Sequence, residues 1–377
     1  MAIELKSKEP PLKKVVVISA ANIFSGGPLS ILKDCLAAVE HWADEYEIYA
    51  LVNEVTAFSE FKGINLMEFP GMRKTYLHRI YYEYLYYKKL SKKLNPFLWL
   101  SLNDMSSNIV SSKRAVYCHN PSPFKRLVFR DIIDQPSLFF FTLFYRYIYR
   151  INIKKNDYVI VQQDWLREAF AKMFPVPLCK IIVATPSLNK SVSETIQVKK
   201  SDYTFEFFFP SFPRPFKNIE VIGDAVRYIN SKGKHDFKVT LTLDGSENPY
   251  TKRIKKNYGD LSQLNFIGLV SREEVYNIYS RVDCLLFPST LETWGLPITE
   301  FKLFKKPMIV ADLPYAHETA GNYLQTIFFK PYDHKQLACY MIQLMDNTLE
   351  FKEREVPKIE EPYAENWQKL LSLLLKN

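Results

Sequence analysis

The stretch that decides the fold reads DCLLFPSTLETWGLPITE and spans residues 283–300. The apolar run from Asp283 to Phe287 predicts a short buried strand, and residues 297–304 predict a helix. Two carboxylates, Glu292 and Glu300, flank the glycine of the turn between them. Open parallel sheets bind ligands beyond the carboxyl ends of their strands, so this turn is a candidate ligand site. Carboxylates suit sugar and ribose hydroxyls, which donate hydrogen bonds to them.

Strand and helix signals alternate on both sides of this stretch. The predicted strands of the first half are Val15–Ile18, Glu47–Val52, Leu66–Phe69, Phe97–Leu102, Val116–Cys118, Tyr158–Val161 and Lys180–Ala184. Those of the second half are Phe205–Phe209, Lys238–Leu243, Asn265–Ile267, Asp283–Phe287, Met308–Ala311 and Thr326–Phe329. Strands that alternate with helices indicate parallel βαβ units. The predicted fold class is therefore α/β, with two doubly wound halves of similar size.

The predicted domains are residues 1–187 and 203–360, joined by a polar, Ser- and Lys-rich linker at 188–202. Each half is long enough to bury a core of its own. The tail 361–377 is predicted to be helical because several apolar residues share one helical face. These residues are Trp367, Leu370, Leu371 and Leu374.

Composition excludes several classes of protein. Charged residues make up 24% and hydrophobic residues 47% of the 377-residue chain, an ordinary globular balance. The five cysteines lie far apart without a CxxC pair, which argues against a disulfide framework or a cysteine zinc site and fits a reducing cytosol. No apolar stretch approaches the ~20 residues needed to span a bilayer. The predicted location is therefore cytoplasmic.

Two further positions in the first half are candidate site residues. Glycine is scarce, with 11 in the chain, yet Gly26 and Gly27 stand together between the first strand and the first helix. Two glycines there let backbone N–H groups approach an anion, although a tight turn that binds nothing would look the same. His119 follows the strand that ends at Cys118. Its imidazole could act as a donor or acid–base group, or could be a structural histidine bonded within the fold.

A family resemblance is carried by these motifs. Glu292 and Glu300 form an E-x7-E pair, and ETWGLPITE resembles the EGFGLPxxE turn of family-4 retaining glycosyltransferases. The preceding segment NFIGLVSREEVYNIYSRVDCLLFPS is similar to the family's approach to that turn, and the resemblance is firm over roughly residues 203–332. It implies the GT-B arrangement, in which two Rossmann-like domains face a cleft and a last helix crosses back to the first domain.

The resemblance also implies roles for individual residues. Glu300 would hold the ribose of a nucleotide, Glu292 would contact the donor sugar, and Lys217 would meet the diphosphate. Backbone groups near the sugar and diphosphate would come from Thr293, Trp294, Gly295 and Leu296. His119, with Glu292, is the predicted catalytic residue beside the transferred sugar. Gly26 and Gly27 would line the cleft near phosphate and acceptor.

One position departs from the family's pattern. An Arg usually stands five residues before the Lys, and here that position is Phe212, while Arg214 stands three before Lys217. Arg214 is predicted to be re-aimed into the site by its flanking prolines; the alternative is that Lys217 acts without an Arg partner. No D-x-D pair occurs in the chain, so no divalent-metal cage and no cofactor are predicted. This agrees with the metal-independent transfer that the resemblance implies.

The positive charge is concentrated in a basic aromatic region of the first half. Net charge is +9, and residues 72–98 hold seven Lys or Arg against one acid, with seven against two in residues 124–155. One helical stripe is predicted for residues 74–95, formed by Leu77, Ile80, Tyr84, Tyr87, Leu90 and Leu94. Tyrosines beside Lys and Arg would suit a helix lying on an anionic membrane. The alternative is a helix packed on its own sheet with a solvated basic face. No nucleic-acid-binding module is present.

Together these features predict a retaining glycosyltransferase that uses a nucleotide-diphosphate sugar. The acceptor would be a glycan or lipid-linked glycan in the synthesis of lipopolysaccharide, O-antigen or capsule, at the inner face of the cytoplasmic membrane. Other activities on the same fold stay open, because fold alone does not fix function. They are a nucleotide-sugar epimerase, a phosphorylase with a lysine-bound pyridoxal cofactor, and a non-catalytic glycan-binding homologue.

Overall fold

The computed structural model describes residues 13–24, 26–124, 136–186, 204–233, 235–356 and 358–376. These residues form two compact units, one within 1–187 and 359–377 and the other within 188–358. The predicted linker 188–202 lies outside the described residues.

The first unit is built on a parallel sheet. Its strands are β1 (Lys14–Ser19), β2 (Tyr46–Val52), β3 (Asn65–Glu68), β4 (Leu98–Ser101), β5 (Lys113–Tyr117), β6 (Tyr158–Val161), β7 (Ile181–Ala184) and β14 (Tyr363–Ala364). They lie in the order β14-β7-β6-β5-β4-β1-β2-β3, so the strand order reverses between β1 and β4. The middle strands are buried on both faces, which explains why they read as continuous apolar runs rather than as alternating patterns.

Helices cover this sheet. They are α1 (Gly26–Glu40), α2 (Tyr76–Tyr81), α3 (Tyr87–Leu94), α4 (Pro136–Arg150), α5 (Asp164–Met173) and α12 (Trp367–Lys376). The C-terminal helix α12 packs on α1, and Leu370, Leu371 and Leu374 are almost completely buried in the same core as Leu32 and Leu36. The predicted return of the last helix to the first unit is confirmed.

The second unit repeats the order of the first six strands of the first unit, without counterparts of β7 and β14. Its strands are β8 (Phe205–Phe209), β9 (Phe237–Leu241), β10 (Leu264–Phe266), β11 (Cys284–Phe287), β12 (Met308–Ala311) and β13 (Thr326–Phe329). Its helices are α6 (Ile219–Lys232), α7 (Pro249–Tyr258), α8 (Arg272–Arg281), α9 (Leu296–Lys302), α10 (Pro314–Ala320) and α11 (His334–Met345). All strand pairs are parallel, in the order β10-β9-β8-β11-β12-β13. This is the Rossmann order, and it reverses between β8 and β11. The predicted fold class is confirmed in both units.

The predicted stripe over residues 74–95 is wrong at its amino-terminal end. Tyr87 and Leu90 are buried as expected, but Leu77 is 76% exposed and Ile80 is 41% exposed. The cause is a π-helical turn at Tyr82–Tyr86, which joins α2 to α3 and inserts an extra residue. One residue spans about 100° of a helix, so the insertion rotates α2 relative to α3 and changes which side chains face the sheet.

Two of the buried positions of that helix are occupied by charged side chains, Arg79 and Glu83. Arg79 donates to the carbonyl of Asn103 (2.6 Å) and to the hydroxyl of Tyr145 (3.1 Å). Glu83 is fully buried and accepts from Ser107 (2.5 Å) and from the Asn103 amide. Burial raises the pKa of Glu83 to about 7, although Arg79, Ser107 and Asn103 each oppose that rise. A local hydrophobic pattern does not anticipate this network.

Candidate functional site

Two predicted site residues meet at the point where the second sheet reverses its strand order. Lys217 ends the turn that follows β8, and Glu292 lies in the loop that follows β11. The Lys217 Nζ atom is 2.5 Å from Glu292 Oε1, and the two side chains are only 14% and 16% exposed. Ligands of doubly wound sheets bind at such a reversal, beyond the carboxyl ends of the strands. The pair therefore lies where the fold creates a binding crevice.

The two loops that carry this pair are bonded to each other. The backbone N–H and the hydroxyl of Thr290 both donate to the carbonyl of Phe216, at 2.7 and 3.0 Å. The side-chain amide of Asn218 donates to the carbonyl of Pro288 (3.3 Å). Asn218 itself has a φ of 54°, the left-handed conformation that asparagine tolerates better than most residues. These bonds fix the separation of Lys217 and Glu292 before any ligand binds.

The turn after Glu292 requires glycine at its centre. Gly295 has a φ of 82°, and a Cβ atom there would come within 3.3–3.4 Å of Ile298, Phe287 and Tyr315. Trp294 is held by a hydrogen bond from its indole N–H to Thr299 (2.8 Å). Leu296 then begins helix α9. The backbone from Thr293 to Leu296 is therefore a tight, fixed turn next to the Lys217–Glu292 pair.

Glu300 lies in α9 and is 7% exposed. Its Oε1 atom accepts from Arg272 (3.1 Å) and its Oε2 atom from the hydroxyl of Tyr279 (3.3 Å). Burial raises the pKa of Glu300, while the Arg272 charge and hydrogen bonding by Tyr279, Arg272 and Tyr276 oppose that rise. A carboxylate offers about four acceptor positions, so these three partners leave about one position for a further hydroxyl donor.

Arg272 and Tyr279 are residues of this site that sequence reasoning missed. Arg272 opens helix α8, which follows strand β10. The sequence signal that could have identified Arg272 is its position just beyond the carboxyl end of a parallel strand. Tyr279 is buried in the core, where nothing in its local sequence separates it from other core tyrosines.

Arg214 is not brought to the Lys217–Glu292 pair in this structure. Its side chain is exposed, and its guanidinium lies 5.0 Å from the centre of the Phe212 ring. Phe212, which occupies the position of the family's usual Arg, is therefore in contact with Arg214. A role for Arg214 in the site stays a prediction.

His119 lies beyond the carboxyl end of β5 in the first unit. Its Nε2 atom is 2.7 Å from the carbonyl of Leu102, and its backbone N–H donates to Asp104 (2.5 Å). A carbonyl only accepts, so Nε2 carries the proton and Nδ1 is the acceptor. Nδ1 is buried and has no hydrogen-bond partner among the described residues. Burial lowers the pKa of His119, which favours the neutral form of the ring.

Gly26 and Gly27 lie in the first turn of α1, after the carboxyl end of β1. Gly26 is exposed and has a φ of 68°. A Cβ atom there would contact only Pro28, at 3.9 Å, so backbone conformation rather than crowding favours glycine. The pair stands beside the reversal of strand order in the first sheet, and its role stays a prediction.

Within the described ranges, no group of three His, Cys, Asp or Glu side chains is placed to hold a metal ion. The predicted metal independence is a statement about the reaction and stays a prediction.

The basic aromatic region forms an exposed apolar surface, which we call the α2–α4 surface. Ten of the 19 exposed large hydrophobic residues in the described chain belong to it: Tyr76, Leu77, Ile80, Tyr81, Leu85, Phe140, Leu143, Phe144, Tyr147 and Ile151. The rings of Tyr76 and Phe144 are in contact, with centroids 6.5 Å apart, and join its two helical parts. None of the described helices has the length and apolar character needed to cross a membrane. Residues 125–135 of this predicted region lie outside the described residues.

Comparison with known proteins finds a family similarity for most of the second unit. Residues 194–361 match the family model described as Glycosyl transferases group 1. The match covers less than half of the chain. The chain is also similar to the O-antigen chain mannosyltransferase RfbU of Salmonella typhimurium, with 27% identity over 205 residues. That similarity covers 53% of this chain and 54% of the mannosyltransferase, so it spans about half of each protein.

Solved structures agree on the fold of nearly the whole chain. HepE of Anabaena, crystallised with UDP, is 14% identical with a TM-score of 0.64 over 89% of this chain and 91% of that one. WaaG, a glycosyltransferase involved in lipopolysaccharide biosynthesis, is 14% identical with a TM-score of 0.64 over 88% and 90%. Identities this low establish the fold alone. The chain shares the α/β fold of these solved structures, and the cleft between its units stays a prediction.

Proposed function

We propose that this protein is a retaining glycosyltransferase that moves a sugar from a nucleotide-diphosphate sugar to a glycan or lipid-linked glycan. The observation that carries the proposal is the meeting of Lys217 and Glu292 at the strand-order reversal, with Glu300 buried in the helix that follows. The match of the same unit to the group 1 family model supports it. The likeness to an O-antigen chain mannosyltransferase supports a product in cell-surface polysaccharide synthesis, such as lipopolysaccharide, O-antigen or capsule.

Donor binding in this proposal uses groups that are already placed. The Lys217 ammonium has three donors, so it can keep its contact with Glu292 and also bind a phosphate oxygen. Glu292 contacts the sugar, and Glu300 accepts hydrogen bonds from the ribose hydroxyls. Arg272 stabilises the ionised form of Glu300, which accepts hydrogen bonds without donating one.

The transfer step needs no nucleophile from the protein. The bond between the anomeric carbon and the diphosphate oxygen breaks, and the acceptor oxygen bonds to the same face of that carbon. The acceptor's proton passes to the leaving phosphate. Lys217 stabilises the negative charge that develops there, and no metal ion is required. His119 lies beside the transferred sugar, and the Gly26–Gly27 turn lines the site near phosphate and acceptor.

The proposed place of action is the inner face of the cytoplasmic membrane. The α2–α4 surface supports peripheral contact with anionic lipid through residues 72–98 and 124–155. Its exposed Leu, Ile, Phe and Tyr side chains suit the interface, and the exposed lysines beside them suit anionic headgroups. Such contact would bring a lipid-linked acceptor close to the protein.

The test is transfer of a radiolabelled sugar to lipid-linked acceptor in the presence of EDTA, followed by NMR of the new linkage. Retention of the anomeric configuration of the donor is expected, with loss of transfer in Lys217→Gln. Inversion, or a requirement for a divalent metal, would contradict the mechanism. A changed sugar and free nucleotide formed without any acceptor would instead identify an epimerase.

A further inference from the structure

A cavity of about 390 Å³ opens beside the π-helical turn of the first unit. Cationic and phenolic side chains line it: Tyr81, Tyr84, Tyr86, Lys88, Lys89 and Lys92. Ligand pockets of proteins usually enclose about 300–1,000 Å³, so its volume is sufficient for a small polar group. All the residues that line the cavity belong to the first unit.

The wall of this cavity is held in place by the loop that follows β4. Asn108, which also lines the cavity, donates from its backbone N–H to the carbonyl of Glu83 (2.9 Å). Its side-chain amide donates to the carbonyl of Tyr84 (3.2 Å), and the N–H of Val110 donates to the hydroxyl of Ser91 (2.9 Å). These bonds stabilise the widened helical turn, and turns of this kind are frequent at functional sites.

The charge of the cavity is one-sided. Lys88, Lys89 and Lys92 are all exposed. The single acid of residues 72–98 is Glu83, and its carboxylate is fully buried against Asn103 and Ser107 rather than turned toward these lysines. Three ammonium groups without a carboxylate from their own helix favour an anion with several oxygens, for which a phosphate is suited.

The other side of the cavity is apolar. Leu85 lines it and is 61% exposed, and Tyr81 lines it and is 49% exposed. The exposed side chains of Leu77 and Ile80 lie one turn further along the same helix. The cationic end of the cavity is thus followed by an apolar surface, an arrangement that matches a molecule with a charged head and a hydrocarbon chain.

We infer that this cavity binds the phosphate headgroup of a membrane lipid, with Lys88, Lys89 and Lys92 on the phosphate oxygens and Leu85 and Tyr81 beside the chain. The inference does not depend on glycosyl transfer, but it rests on the peripheral membrane contact proposed above. It adds a specific headgroup site to the general attraction between the α2–α4 surface and anionic lipid.

The experiment is flotation of the full-length protein with three kinds of vesicle. One is phosphatidylcholine alone, one contains phosphatidic acid, and one contains oleate at a matched surface charge. The cavity variant is Lys88→Gln with Lys89→Gln and Lys92→Gln. Its matched control is Lys74→Gln with Lys93→Gln and Lys154→Gln, which removes the same charge from exposed lysines of the same region that do not line the cavity.

The wild type is expected to prefer phosphatidic acid to oleate vesicles. General attraction acts on all six lysines alike, so the cavity variant should lose at least about tenfold more affinity for phosphatidic acid than its control. Equal losses in the two variants would show diffuse attraction only and would overturn the inference. Equal binding to phosphatidic acid and oleate would overturn phosphate recognition. Binding of inorganic phosphate without preference for phosphatidic acid vesicles would contradict the lipid assignment.

Discussion

Replacing Glu300 with alanine tests the nucleotide site at its most buried group. The carboxylate is 7% exposed and already accepts from Arg272, Tyr279 and Tyr276, which leaves about one of its four acceptor positions for a ribose. Hydrogen bonds to a charged group contribute about 1.5–3 kcal/mol each. Loss of that bond should therefore weaken nucleotide binding by about 1.5–3 kcal/mol, which is roughly 10- to 150-fold in Kd.

The same substitution also affects stability, and a control variant separates the two effects. Glu300→Ala leaves the buried hydroxyl of Tyr279 without its partner, at a cost of about 1–3 kcal/mol in the free energy of unfolding. Arg272 is 56% exposed, so water can replace its lost contact. Tyr279→Phe removes the hydroxyl but keeps the carboxylate, so it should bind nucleotide within a few-fold of the wild type.

The assay is isothermal titration calorimetry at a temperature where all variants are folded. Each protein is titrated with the nucleoside diphosphate that the wild type binds and with its 2′,3′-dideoxy analogue. The wild type should discriminate strongly between the two ligands, and Glu300→Ala should bind both with similar weak affinity. If Glu300→Ala keeps the affinity of the wild type, or the same preference for ribose, the carboxylate does not hold the ribose.

Four other substitutions have expected outcomes. Lys217→Ala should weaken a sugar nucleotide by about 10- to 100-fold but leave the bare nucleoside nearly unchanged in the same calorimetry, and equal losses would contradict a diphosphate role. Arg272→Ala removes the charge that opposes the effect of burial on Glu300, so the pKa of Glu300 should rise further. As the pH is lowered, the variant should therefore lose nucleotide binding at a higher pH than the wild type. Burial raises the pKa of Glu83 from 4.5 to about 7, so the stability that depends on its protonated form is present at low pH and lost as the pH rises through 7. In urea unfolding across this pH range, the free energy of unfolding of the wild type should fall by roughly 3 kcal/mol relative to that of Glu83→Gln. Parallel pH profiles of the two proteins would refute this. Gly295→Ala forces a side chain into a left-handed conformation and should destabilise the protein by about 1–2 kcal/mol in thermal unfolding, so an unchanged midpoint would contradict the strain argument.

The sheets could be predicted because burial on both faces leaves a simple signal. The run Val15–Ile18 predicted a strand that the structure extends to Lys14–Ser19, and similar apolar runs marked the other strands. Helix 74–95 shows where that signal fails. Its π-helical turn is stabilised by Asn108 and its buried acid by Ser107, both from a loop that a local pattern does not include.

The candidate site was predictable only in part, for a related reason. Lys217 and Glu292 are 75 positions apart, and they meet because the carboxyl ends of neighbouring parallel strands lie at one edge of a sheet. That rule needs only the strand order. The hydrogen bond from Arg272 to Glu300 depends on the conformation of a long, half-exposed side chain, which the sequence around Arg272 does not show. The same limit applies to Arg214, whose side chain lies on Phe212.

The most direct test of a nucleotide-diphosphate sugar site in the second unit is thermal unfolding with nucleotides. UDP, GDP and ADP are each compared with their sugar conjugates, with and without EDTA, in the wild type and in Lys217→Ala. A ligand at 100 times its Kd adds about 2.7 kcal/mol, which at about 2–4 °C per kcal/mol is roughly 5–11 °C for a domain of this size. We expect one nucleotide to raise the midpoint in the wild type, with or without EDTA, and to raise it much less in Lys217→Ala. A midpoint that none of these nucleotides or sugar nucleotides moves would contradict the assignment of this site.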